Sequence, residues 1–134
     1  MIRLWFQIIP HAKQRYETCG DYRRQHGVWC IRVSRMKDKR YCWIVFLHEI
    51  IEWAICRLTG VKCKAIDEFD MIYEKWRAAG KEKAPCGCKF WDEPGDDCHA
   101  PYHHAHQVAT ACERLIAEAL GVDWMKYNEA VARL

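Results

Sequence analysis

His48, Glu49 and Glu52 interrupt the apolar run Ile44-Val45-Phe46-Leu47-His48-Glu49-Ile50-Ile51-Glu52-Trp53, and their types and spacing are those of a metal-assisted reaction. Burying such groups without partners is costly. On a helix, His48 and Glu52 are four residues apart and project from one face, so both can hold a single cation, with Glu49 beside them as a candidate base. The pattern reads HExxE. In the HExxH arrangement two His bind zinc and the intervening Glu polarises a zinc-bound water. A carboxylate in the second position still ligates, but it changes the charge of the site and its metal preference.

A second polar stripe lies near the end of the chain. His106, Thr110 and Glu113 are spaced by four and three, which keeps them on one helical face, while Val108, Ala109, Ala111, Leu115 and Ile116 supply apolar surface. Packing the two stripes together would bring His48, Glu52 and His106 around one point. These three are the expected ligands of zinc or another divalent ion, with Glu113, Asp70, His103 and His104 as further donors. A buried His is more often a hydrogen-bonded core residue than a ligand, and a buried network of ion pairs and hydrogen bonds is the competing account of the two stripes.

Cys86-Gly87-Cys88 and Cys98-His99 offer soft ligands for a zinc knuckle that would staple an irregular loop, against the alternative that the thiols are free. The spacing is not that of a standard zinc motif. Asp92-Glu93 and Asp96-Asp97 flank the group; they suit a hard cation, and equally a solvated Pro-Gly turn.

These residues must be positioned by regular elements. Ile2 to Ile9 and Val28 to Ser34 alternate β-branched and aromatic residues, with Gly20-Asp21 and His26-Gly27 as turn signals, which predicts an antiparallel sheet of two to four strands. Helical periodicity then runs from about Lys39 to Leu58, stopped at Thr59-Gly60, and again from about Ala65 to Ala79, stopped at Gly80. Lys81 to Pro101 holds three Pro and two Gly and is expected to be irregular. A third helix from about Tyr102 to Leu120 and a short fourth with Asp123 as N-cap complete the chain. The expected fold is α+β: one domain over 1–134, strands about 1–36, helical part about 39–134.

At 134 residues and 51% hydrophobic, with seven Trp, the chain is the size of one domain with a real core. The net charge of +3 and pI near 8.4 are mild for a dedicated nucleic-acid binder. Its positive excess lies in the first forty residues, where Arg23, Arg24, Arg32, Arg35 and Lys37 could face a protein or nucleic-acid partner. Nine Cys, an odd number without a secretory signal before them, point to a reducing compartment and cytoplasmic residence. No stretch reaches the length of a membrane span.

The blocks QRYETCGDY (Gln14 to Tyr22), IRVSRM (Ile31 to Met36), LHEIIEW (Leu47 to Trp53), EPGDD, APYH and ALGVDW resemble a family of small proteins of phage and bacterial genomes. That family looks like a compact relative of zincin-type metalloproteins, in which a strand precedes the helix bearing the first ligands. The resemblance implies His48, Glu49 and Glu52 as site residues, His106 as the completing ligand and, for a phage-encoded protein, residence in the host cytoplasm. It implies no particular reaction.

Three functions are compatible with these residues. The first is a metal-dependent hydrolase acting on a peptide or a small carbonyl compound, with water activated by Glu49. The second is a non-catalytic binder of a host protein or nucleic acid with a structural metal or buried polar network. The third rests on Glu49-Ile-Ile-Glu52 and Asp67-Glu-Phe-Asp70, which resemble the carboxylate pattern of all-α magnesium-dependent nucleotide pyrophosphohydrolases.

Overall fold

A computed structural model describes all 134 residues. The first three elements are strands: β1 (Leu4–Ile9), β2 (Gly20–Gln25) and β3 (Val28–Ser34). β2 and β3 form a hairpin whose two turn residues, His26 (φ 49) and Gly27 (φ 79), both take the left-handed conformation that matches strand twist in a two-residue turn. The sheet order is β1-β3-β2, with β1 parallel to β3 in the register Leu4↔Trp29 to Ile9↔Ser34. The sheet is therefore mixed, not wholly antiparallel as its alternation suggested. Alternation gives each strand an inner and an outer face but carries no strand direction. The direction comes from the connection from Pro10 to Cys19, which crosses over and returns through β2 instead of closing a tight turn.

Gly20 and Asp21 open β2 where a turn was expected. Asp21 is buried there and takes a bidentate ion pair from Arg15 at 2.7 Å on both oxygens. Arg15 also reaches Asp67 on the second helix, so the β1–β2 connection is tied to the helical half.

Helix α1 (Lys39–Thr59) starts where the Asp38 side chain accepts from the Arg40 amide and ends where Gly60, at φ 80, returns its amide to the Cys56 carbonyl. α2 (Cys63–Ala78), α3 (His103–Ala119) and α4 (Trp124–Ala132, capped by Asp123) follow, within a few residues of the predicted bounds. α1 lies between the sheet and α3. Tyr22, Ile31 and Val33 from the sheet, Cys42, Ile44, Val45, Trp53 and Cys56 from α1, and Ala105 and Ala117 from α3 belong to one continuous core. Small residues on α3 allow its axis to approach α1 closely, whereas Leu115, expected on the apolar face, is 73% exposed. Between α2 and α3 the only regular piece is a 3-10 turn at Pro94–Asp96. No helix is long and apolar enough to cross a membrane.

Candidate metal centre

The packing of α1 on α3 brings the two polar stripes into register. His48, Glu49 and Glu52 from α1 and His106 and Glu113 from α3 are all buried. Three ligating atoms meet among them: His48 Nε2 is 3.3 Å from Glu52 Oε2 and 3.2 Å from His106 Nδ1, and His106 Nδ1 is 3.0 Å from Glu52 Oε2. Three donors held at about 2.0–2.1 Å by one tetrahedral ion would stand roughly 3.3 Å apart, so the triangle has the size of a metal-binding face.

The surroundings fix which atoms face inward. Glu113 Oε2 accepts from His48 Nδ1 at 2.7 Å, and the Tyr127 hydroxyl of α4 donates to the other Glu113 oxygen. With its Nδ1 hydrogen committed, a neutral His48 points the Nε2 lone pair into the triangle, the arrangement in which a carboxylate orients a ligating imidazole. Glu52 is divided in the same way: Oε1 accepts from the Tyr22 hydroxyl at 3.0 Å, leaving Oε2 for the centre.

The far side of the His106 ring completes the pattern. Its Nε2 lies 3.0 Å from Glu93 and 3.5 Å from Asp96, close enough for ion pairing. Neither oxygen is placed for a good hydrogen bond, and Nε2 remains without a hydrogen-bond partner. A lone pair from each imidazole and a carboxylate oxygen repel one another unless a cation lies between them. Without a metal, protons must fill that role. Burial alone would lower the His pKa values, but Asp96, Glu52 and Glu93 together push His106 up to about 12, and Glu113 and Glu52 likewise raise His48. Glu52, which burial would raise, is brought down to about 2 by His106 and His48. The residues present thus fit a divalent ion.

Glu49 turns from its neighbour towards β2. A Cβ on Gly20 would fall 2.5 Å from Glu49 Oε1, so the glycine leaves the room in which that carboxyl sits. Burial, and then the charge of Glu52, hold Glu49 well above the usual carboxylate range. Gly95 plays the matching part on the other side, where a Cβ would meet the His106 ring at 2.5 Å. Glu49, the triangle, Asp70 and Thr110 line a cavity of about 670 Å3.

The remaining expected donors fall elsewhere. Asp70 accepts from the hydroxyls of Tyr102 (2.6 Å) and Tyr16 (3.1 Å), and burial raises it to about 7 despite those bonds. His103 donates its Nδ1 hydrogen to the Gly95 carbonyl at 2.9 Å, which ties the helix entrance to the loop. His104 is exposed and outside the site, because it lies two residues from His106 and so on the opposite flank of α3. Glu113 holds the His48 ring and is not itself in the triangle. Glu93, Asp96 and Tyr127 were not expected at His106 and His48. The acidic run had marked the first two as cation binders, but nothing in Tyr127 beyond its helical phase pointed inward.

Comparison with known protein families, curated proteins and solved structures returned no match.

Proposed function

We propose that the protein is a metal-dependent hydrolase of peptides or other carbonyl compounds, with His48, Glu52 and His106 holding zinc or a similar divalent ion. The observation that supports this reading most is the convergence of three ligating atoms within 3.0–3.3 Å on the wall of a cavity that also contains Glu49. Bound there, the ion would supply Lewis acidity and a more acidic water. The charge of the ion would favour the ionised form of Glu49, which would then accept the proton of the attacking water and return it to the leaving group. Glu113 and Tyr127 hold His48 in its tautomer, while Glu93 and Asp96 neutralise the outer edge of His106.

Replacing Glu49 by Gln separates this function from a purely structural metal. The variant should keep the ion of this centre and lose about 10²- to 10⁴-fold in turnover of a fluorogenic peptide or ester panel, whereas His48→Ala should lose both that ion and turnover. Turnover by Glu49→Gln at the wild-type rate would refute the hydrolase reading. The carboxylate pattern of the pyrophosphohydrolase alternative is distributed differently: Asp67 is paired with Arg15 and Asp70 with two tyrosines.

A further inference from the structure

The chain between α2 and α3 gathers a second set of ligating atoms. Cys86 Sγ, Cys88 Sγ, a carboxylate oxygen of Asp97 and a ring nitrogen of His99 all lie within 4.8 Å of one another. Gly87, at φ 87, reverses the chain between the two cysteines, and the Ala84 amide donates to the Cys88 carbonyl at 2.9 Å, closing a tight turn around them. From the other arm of the loop, Asp97 Oδ1 accepts from the His99 amide at 2.9 Å and lies 3.1 Å from His99 Nδ1, while Oδ2 is 2.8 Å from Cys86 Sγ. Cys98, the residue expected from sequence, is exposed; its Sγ lies 3.4 Å from His99 Nδ1 but is not among the four mutually close atoms, and Asp97, one position earlier, takes its place.

Asp97 carries the chemical argument. It is 0% exposed, and its two oxygens meet only a thiol, an amide and one imidazole. A fully buried carboxylate needs a compensating cation, and two sulfurs, one nitrogen and one oxygen form a donor set suited to zinc. The cluster also accounts for how a stretch with a single 3-10 turn keeps its shape. We propose that Cys86, Cys88, Asp97 and His99 hold a structural zinc ion that clamps the two arms of this loop. Both thiols would bind as thiolates, releasing their protons to solvent. Glu93 and Asp96 lie between the arms, so the clamp sets the acidic edge against His106.

Cobalt(II) reports on this site separately, because the centre between α1 and α3 contains no sulfur. Chelator-stripped, reduced wild-type protein titrated with cobalt should develop a sulfur-to-cobalt charge-transfer band that zinc abolishes, and zinc-loaded protein should show an X-ray absorption sulfur shell at about 2.3 Å. His48→Ala and Cys98→Ser should retain the band, and the double variant Cys86→Ser/Cys88→Ser should lose it. Zinc should also slow tryptic cleavage after Lys89 by about tenfold. Absence of the band in wild-type protein overturns the proposal without recourse to any variant. So does its survival in the double variant or its loss in Cys98→Ser, and unchanged cleavage overturns the clamping role. None of these outcomes bears on the hydrolase reading, which is tested through His48 and Glu49.

Discussion

At the scale of single residues, the division of labour around His48 makes Glu113 the most informative position. Its carboxylate accepts the His48 Nδ1 hydrogen at 2.7 Å and takes the Tyr127 hydroxyl on its other oxygen. On the proposed metal-binding reading, Glu113→Gln would remove the charge that strengthens His48 as a ligand, and metal affinity should fall about 10- to 100-fold in a competition titration with a chromophoric chelator. An unchanged affinity would mean that His48 is not a ligand. Asp70 makes a different prediction. Burial, opposed by its two tyrosine bonds, raises its pKa from 3.8 to about 7. The folded state therefore holds a proton that the unfolded chain has released, and the stability from that proton is complete below the ordinary carboxylate value and drains away as pH rises towards 7. Asp70→Asn has no such proton to lose. In metal-free protein, the urea midpoint of the wild type should accordingly fall relative to that of Asp70→Asn between about pH 4 and 7, and parallel profiles would contradict the assignment.

At the scale of elements, α1 was the most legible part of the chain. Its apolar period, its Asp38 cap and its Gly60 stop fix its ends, and the four-residue step from His48 to Glu52 places both side chains on one face. α3 was legible for the same reason, and His106 met the pair as its phase required. The direction of β1 was not legible, because strand alternation is the same for parallel and antiparallel neighbours. Nor was the route of the loop after α2, which has no period to read: Asp97 and not Cys98 faces the cysteines, and Glu93 and Asp96 reach His106. At Gly95 the loop backbone packs directly against His106 of α3. A methyl there would lie 2.5 Å from the His106 ring, and because the ring is buried and flanked by Glu52 it has little room to yield. Gly95→Ala should cost about 1–3 kcal/mol in denaturant unfolding and displace His106 enough to weaken the metal site. Wild-type stability and affinity in that variant would show that the loop does not pack on the ring.

At the scale of the whole molecule, the centre draws on the sheet through Gly20 and Tyr22, on α1, on the loop and α3, and on α4 through Tyr127. An ion bound there cross-links most of the fold, so a metal at 100 times its dissociation constant should stabilise the native state by about 2.7 kcal/mol. The increment should appear as a rise in the thermal midpoint of the Cys86→Ser/Cys88→Ser variant, in which this centre alone binds, and adding His48→Ala should abolish it. The contacts that join α1 to α3 at this centre link residues 54 to 65 positions apart in the chain. That separation has a consequence for biosynthesis. At 5–20 residues per second on the ribosome, the charged face of α1 would wait about 3 to 13 s for its partners on α3 to be made. If the centre binds an ion as proposed, the newborn helix would for that interval expose a half-built chelate, and selection of the metal would fall to the last third of the chain.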